Sequence, residues 1–341
     1  MYISTIGLDI SKSVFHLHGV DSVGEVALRR KLRRGEVLNF FAKLSPCVVA
    51  LEACATSHYW GRALSALGHE VRLIPPSYVG AYVKRGKNDA VDAAAIAEAA
   101  SRPSMHLVAL KSEAQQAMLS AHRVRSMLVR QRTMLINLLR AQLAEFGLVS
   151  AKGRDGLSRL VALVREPADE RLPAVARTML REPVAAIEGL ERQLRRIDKA
   201  MGAGVRENAA ARRLTTIPGI GVITASALVA TVGDPQRFLN GRHFAAWLGL
   251  TPREHTTGGK PRLGRISKMG DRYLRSLLVL GATSRLKRIE HTDTPLDRWA
   301  RKLVEHKPKR LATVAMANKT ARIAWALMAS GQPYRPERAA A

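Results

Sequence analysis

The sequence is poor in cysteine, in aromatic residues and in negative charge, and it holds no long hydrophobic run. Its two cysteines, Cys47 and Cys54, lack the partner spacing of a zinc site or a disulfide framework, and both read as buried small hydrophobes. Aromatics make up 5% of the chain, too few for a platform that stacks single-stranded bases. Trp247, Trp299 and Trp325 fall on apolar helix faces and read as core. No stretch reaches the ~20 consecutive apolar residues of a spanning helix. Met1–Ile10 shows no basic stretch ahead of an apolar one, so the expectation is a cytoplasmic protein with no membrane insertion.

Scarcity of acid is the strongest of these signals. Against 55 Lys+Arg stand 28 Asp+Glu, a formal net charge of +27. A surface with this excess attracts polyanions, which makes nucleic acid the leading partner and anionic membrane its competitor. With 47% hydrophobic residues the chain is too apolar to be a solvated polycationic tail. Its 341 residues suggest two or three folded domains, at ~100–200 residues each.

Residues 1–105 alternate between strand and helix patterns. Strands are expected at Tyr2–Ile10, Val14–Val20, Gly24–Lys31, Cys47–Glu52 and Glu70–Ile74, with helices at Gly35–Leu44 and Ser57–Leu67. Three consecutive strands followed by strand–helix–strand alternation imply a mixed sheet covered by helices. From Lys111 to Phe146 the pattern becomes one long helix, with Ala121, Val124, Leu128, Leu135 and Leu138 at three- and four-residue steps. A second such stretch carries Ile187, Leu190, Leu194, Ile197 and Met201. Together they suggest a helical connector, either a dimerising coiled coil or an ordinary packing layer. Helical patterns follow at Val222–Thr231, Gly241–Leu248, Asp271–Arg288, Pro295–His306 and Lys309–Ala329, and 332–341 reads as a frayed tail. The expected fold class is α/β plus all-α. Its segments are 1–110 as the mixed-sheet domain, 111–205 as the connector, 206–331 as a helical C-terminal domain and 332–341 as a flexible tail.

In a chain so short of acid, four carboxylates stand out. Asp9 closes the first strand and Glu52 the fourth, so both emerge at strand ends if those strands are neighbours. Asp89 and Asp92 follow at a three-residue step that places them on one helical face. Converging carboxylates repel one another, and a pair of hard divalent cations, Mg²⁺ or Mn²⁺, relieves that repulsion. Two such ions ~3.5–4 Å apart can clamp the attacking and leaving oxygens of a phosphodiester. Taken singly, Asp9 also reads as a turn former and Asp89 as an ordinary residue of a helix start.

Gly7-Leu8-Asp9-Ile10-Ser11-Lys12, Leu51-Glu52-Ala53-Cys54 and Lys87-Asn88-Asp89-Ala90-Val91-Asp92-Ala93 resemble the RuvC-like, ribonuclease-H-type domain of DEDD transposases. More specifically, the chain resembles the insertion-sequence family whose members are RNA-guided recombinases, and the similarity covers most of its length. That resemblance implies a RuvC-like catalytic domain, a coiled-coil connector and an α-helical transposase domain. It further implies a homodimer or homotetramer that pairs donor and target double-stranded DNA with a noncoding RNA of its own element. Asp9, Glu52, Asp89 and Asp92 would hold the ions of a composite site. The protein would then be nucleoid-associated.

Two C-terminal segments extend the nucleic-acid reading. Gly219 and Gly221, in Ile217-Pro218-Gly219-Ile220-Gly221, precede an apolar helix and can present N–H groups to a phosphate. The segment resembles the turn of helix-hairpin-helix DNA binders, although such spacing also makes an ordinary tight turn. Arg253, Lys260, Arg262, Arg265 and Lys268 surround a glycine-rich loop with consecutive hydroxyls, Thr256 and Thr257, suited to a phosphodiester backbone. In the resembled family this loop carries a serine that attacks DNA and forms a covalent phosphoserine link. The aligned residue here is Thr257, a departure from that pattern. Thr257 as nucleophile, Ser267 in its place, or an impaired copy that only binds nucleic acid all stay open, with Thr256 adjacent and His255 as an acid, a base or a phosphate contact. A metal-dependent nuclease or Holliday-junction resolvase using activated water needs only the carboxylates.

Overall fold

The computed structural model describes residues 2–83, 88–260 and 262–336, and it divides into two compact units, residues 1–113 and 114–341. Lys87 of the Lys-Asn-Asp motif and residues 337–341 of the expected tail lie outside the described residues.

The first unit is built on five strands: β1 (Thr5–Asp9), β2 (Val14–Val20), β3 (Val26–Arg33), β4 (Val48–Glu52) and β5 (Glu70–Ile74). They form one sheet in the order β3-β2-β1-β4-β5. The first three run as an antiparallel meander, whereas β4 and β5 are parallel to β1. The helices are α1 (Val37–Phe41), α2 (Ser57–Ala66), the short α3 (Pro76–Val79) and α4 (Asp89–Ala100). Alternation along each strand sends Ile6, Leu8, Phe15, Leu17, Val49 and Leu51 into one core with Phe41, Trp60 and Leu64 of α1 and α2. Ala50 and Ile74 face the other way, against Val79, Ala95, Ile96 and Ala99. This second face carries the carboxylates.

The second unit is helical apart from one hairpin. It comprises α5 (Glu113–Ala144, its first residue belonging to the first unit), α6 (Arg154–Arg165), α7 (Ala174–Glu207), α8 (Ala209–Thr215), α9 (Val222–Val232) and α10 (Gly241–Trp247). The strands β6 (Pro252–Glu254) and β7 (Leu263–Ile266) follow, then α11 (Arg272–Leu286), α12 (Pro295–His306) and α13 (Lys309–Ser330). Leu139 and Leu143 of α5 share a core with Leu160 and Val164 of α6 and Leu180, Val184 and Ile187 of α7. One face of the long helices is therefore a packing layer. Arg177 of α7 is buried and donates to the carbonyls of Leu163 (2.7 Å) and Leu172 (3.2 Å), satisfying acceptors at and beyond the end of α6. The remaining helices enclose a core around Leu228, Phe244, Leu274, Leu278 and Met316, with Trp247, Trp299 and Trp325 packed against it.

A buried relay ties α5, α9 and α11 together. Tyr273 Oη lies 3.0 Å from His122 Nδ1, and His122 Nε2 lies 3.0 Å from Ser226 Oγ. The Ser226 hydroxyl donates to the Ile223 carbonyl. The tautomer satisfying all three has Tyr273 donating to Nδ1 and Nε2–H donating to Ser226. Burial, reinforced by Arg125, pushes the His122 imidazole down to about 4.

Two local readings differ from the sequence. Cys47 is buried, but Cys54 is exposed, because β4 ends at Glu52 and Cys54 falls in the turn leading to α2. Helix α6, between Gly153 and Pro167, was not expected.

Candidate metal centre and nucleic-acid interface

Asp9 and Glu52 are the last residues of β1 and β4, which pair in parallel through Leu8 and Leu51. Both carboxylates thus leave adjacent strand ends on the α4 face of the sheet. Helix α4 brings the other two. Asn88 caps it, its side chain accepting from the Val91 N–H at 2.9 Å, and Asp89 and Asp92 occupy the first turn, where the helix dipole favours negative charge.

What draws the helix down onto the sheet is the absence of a side chain. A Cβ at Gly7 would stand 2.1 Å from the Ala93 carbonyl oxygen and 2.6 Å from the Ala97 nitrogen. Backbone meets backbone there, and the alanines of α4 permit it. With Gly7 against Ala93 and Ala97, the start of α4 falls at the Asp9 end of the strand.

The electrostatics express this convergence. Asp9 is half-buried, and its carboxyl is pushed up from 3.8 to about 6. Loss of solvent is the largest cause, followed by the charges of Asp89 and Asp92 and, more weakly, Glu52; His16 acts in the opposite sense. His16 was not anticipated from sequence. It lies across from Asp9 in the β1–β2 register, with Nδ1 3.5 Å from Asp89 Oδ2. Ligand atoms of Asp9, His16 and Asp89 all fall within 4.8 Å of one another. A divalent cation fits this donor set, since its charge offsets both the loss of solvent and the carboxylate repulsion that raise the Asp9 carboxyl.

Beside the carboxylates the same face opens into a groove of about 710 Å³, lined among others by His16, His18, Arg29, Lys31, Asn88 and Ser101. The register places Lys31 opposite His16 and Arg29 opposite His18. Arg29 and Lys31 take part in no ion pair among the described residues. Burial, and next the Arg29 charge, hold the His18 imidazole below its ordinary range.

In the second unit, Arg253, Thr256, Thr257, Lys260, Arg262, Arg265 and Lys268 lie together, all exposed, on and beside the β6–β7 hairpin. The sequence suggested a structureless loop, because glycine, threonine and charge leave no alternating apolar pattern. A ladder forms nonetheless: His255 N–H donates to Arg262 (2.9 Å) and Lys260 N–H to Thr257 (3.1 Å), with Gly258 and Gly259 at positive φ. Thr256 donates to Glu254 Oε1 at 2.9 Å, whereas no hydrogen bond engages Thr257 Oγ1 among the described residues. Ser267 sits at the base of the hairpin, its N–H donating to the Thr251 carbonyl at 2.8 Å. That base is cinched. A Cβ at Gly249 would meet the Met269 oxygen at 2.2 Å and one at Gly270 the Trp247 oxygen at 1.9 Å, and Arg275 donates to the Leu248 and Met269 carbonyls.

Gly219 and Gly221 divide in role. Gly219, with φ of 92°, packs on Gly281 of α11, whose own Cβ would lie 2.0 Å from the Gly219 oxygen. Gly221 is the N-cap of α9, and nothing stands within 4 Å of where its Cβ would be.

Comparison with known proteins gives a consistent result. Residues 6–147 match a family model for DEDD transposases of the IS110 type, described as a transposase, and residues 211–300 match the transposase model of the IS116/IS110/IS902 family. The chain is 49% identical over 337 residues to a probable family 20 transposase of Pseudomonas aeruginosa, covering 98% of this chain and 100% of that protein. It is 40% identical to the transposase for insertion sequence element IS1328 of Yersinia enterocolitica, covering 97% and 98%. It is 37% identical to the transposase for insertion sequence element IS1111A of Coxiella burnetii, covering 98% and 92%.

Proposed function

Since the chain belongs to the IS110 family of DEDD insertion-sequence transposases, we propose that it cleaves and rejoins DNA strands by metal-assisted attack of a loop hydroxyl, guided by a noncoding RNA. The observation that carries this reading is the convergence of acids at one end of the sheet, Asp9 and Glu52 at adjacent strand ends and Asp89 with a ligand atom within 4.8 Å of Asp9, and the Asp9 carboxyl raised to about 6 agrees with it. Four acids gathered beside Asp9, on the α4 face of a ribonuclease-H-type sheet, suit a pair of Mg²⁺ or Mn²⁺ ions. Bound there, the ions would stabilise the negative charge that builds on a phosphodiester under attack.

The chain's own residues supply the rest. Asp9, Glu52, Asp89 and Asp92 hold charge and position, and Arg29 and Lys31 seat the strand's phosphates in the adjoining groove. Thr257 is the nucleophile: its Oγ1 forms an ester bond to phosphorus, its proton passes to solvent, and one deoxyribose oxygen leaves as an alcohol. The exposed tip and the unengaged Oγ1 support this choice over Ser267, whose neighbourhood is tied to the hairpin base. Arg253, Lys260, Arg262, Arg265 and Lys268 neutralise the backbone, and the α9 start at Gly221 offers N–H groups to another phosphate. The segments 111–205 and 206–331 serve as connector and transposase domain. Val124, Met127, Met134 and Leu138 of α5, exposed at heptad-like intervals, support pairing of this helix in a dimer or tetramer on donor and target DNA.

Trapping of protein–DNA adducts tests the reading, with Mg²⁺, element DNA and its flanking RNA, in wild type, Thr257→Ser and Thr257→Ala. The expected result is an adduct mapped by peptide mass to residue 257, lost with alanine. Cleavage with no adduct in any variant establishes a hydrolytic nuclease or resolvase instead, and an adduct on Ser267 moves the nucleophile. Binding without cleavage in wild type identifies an impaired copy.

A further inference from the structure

One buried group beside the carboxylates is not explained by them. His16 is 8% exposed, and its Nδ1 is buried with no hydrogen-bond partner. That nitrogen is aimed at the acids, 3.5 Å from Asp89 Oδ2 and in the strand pair directly across from Asp9. A buried ring nitrogen left unpaired is costly, and a leucine would fill the same space without that cost. An occupant that accepts the nitrogen lone pair would remove that cost, whereas a proton on Nδ1 would leave only the 3.5 Å ionic contact with Asp89.

We propose that His16 Nδ1 is a nitrogen ligand for one of the two divalent ions, so that the two ion positions are chemically unlike. The proposal rests on the reading of the four carboxylates as metal ligands. Asp9 lies on the central strand of β2-β1-β4, with His16 on one neighbour and Glu52 at the end of the other. Asp9 is thus placed to be shared, with His16 and Asp89 on the nitrogen-containing side and Glu52 on the all-oxygen side. Ligand atoms stand ~2.0–2.2 Å from such an ion, so opposite ligands are up to ~4.4 Å apart. The 4.8 Å cluster of Asp9, His16 and Asp89 closes onto an ion with small side-chain shifts. For His16 to coordinate, its proton must reside on Nε2.

The consequence is a bias in metal choice. Mg²⁺ prefers carboxylate, carbonyl and water oxygens, whereas imidazole suits later transition metals and is accepted by Mn²⁺ more readily than by Mg²⁺. His16 thereby favours Mn²⁺ in one position and leaves the other indifferent.

The experiment uses the full-length chain loaded with Mn²⁺ and read by electron spin-echo envelope modulation. Expected are ¹⁴N modulations from a coordinated imidazole, replaced by the ¹⁵N pattern when histidine is ¹⁵N-labelled. His16→Gln should remove them and weaken Mn²⁺ binding by about tenfold or more, since losing a ligand costs no less than losing a group that orients one, with a smaller change for Mg²⁺. The labelled wild type needs no variant, so a misfolded His16→Gln leaves the proposal exposed to refutation. If Mn²⁺ binds, Asp9→Asn abolishes that binding and no histidine nitrogen is seen, His16 is only an ionic partner of Asp89; the proposal falls while the carboxylate site stands. Nitrogen modulation that persists in His16→Gln also overturns it. If Mn²⁺ does not bind the wild type, the carboxylate reading falls with it.

Discussion

Gly7 and Ala93 touch through their backbones: a single added carbon at Gly7 would come within 2.1 Å of the Ala93 carbonyl oxygen. Helix α4 cannot retreat without carrying Asp89 and Asp92 away from Asp9. Gly7→Ala should therefore destabilise the first unit by about 1–3 kcal/mol, the usual range for overpacking, and weaken Mn²⁺ binding more than the loss of stability alone. Thermal melts with and without Mn²⁺ measure both. An unchanged melting temperature would show that the helix is not held by this contact.

Asp9 makes a signed prediction about pH. Its folded-state carboxyl sits at about 6 against 3.8 for the free group, so the folded chain holds the proton more tightly than the unfolded one. This favours folding below about 4, and the advantage is lost as pH rises through about 6. In the presence of a chelator, wild type should melt at a lower temperature at pH 7.5 than at pH 5 relative to Asp9→Asn, which cannot ionise. Mg²⁺ or Mn²⁺ should raise the wild-type melting temperature at pH 7.5 and leave Asp9→Asn nearly unmoved. Strand cleavage by Asp9→Asn should be abolished while salt-sensitive DNA binding persists.

His122 gives the opposite sign in the second unit. Its imidazole is held at about 4, below the 6.5 of the free ring, so its contribution is complete above 6.5 and is lost as pH falls through about 4. Tyr273→Phe removes the donor to Nδ1 and should cost about 1–3 kcal/mol, because a buried acceptor is left unpaired. Melting curves of wild type and Tyr273→Phe at pH 5 and 7.5 test the relay; identical curves would sink it.

Arg29 and Lys31 line the groove beside the carboxylates. Arg29→Ala with Lys31→Ala should reduce the slope of log binding constant against log salt by about 1–2, at ~0.9 per lost phosphate contact. The loss should be similar for all sequences, since backbone contacts carry no base information. A salt titration with two unrelated duplexes checks both statements.

How much of this was legible in the sequence follows from which facts are local. Strand ends at Asp9 and Glu52 and a helix start at Asn88 are local events, written in β-branched runs and a capping side chain, so the carboxylates could be read directly. His16 could not, because its partnership with Asp9 exists only once the turn at Ile10–Ser13 sets the β1–β2 register. Gly7 looked like an ordinary strand residue until α4 was laid against it. Cys54 lies just past the expected strand end at Glu52, and only the path of the turn into α2 leaves it exposed. The hairpin carrying Thr257 leaves no pattern in the sequence, because none of its side chains from Pro252 to Lys260 is buried.

That last property separates chemistry from folding. From Pro252 to Lys260 every side chain is exposed, and the close backbone contacts lie beneath it, at Gly249 and Gly270. A change of residue 257 is then nearly silent to the fold. With Thr257 as the proposed nucleophile, selection on the hydroxyl and selection on stability act on different atoms, so a copy without that hydroxyl stays folded and basic. Such a copy would still present the exposed Arg253, Lys260, Arg262 and Arg265 to a polyanion, so losing the chemistry would not by itself lose the charge that attracts nucleic acid.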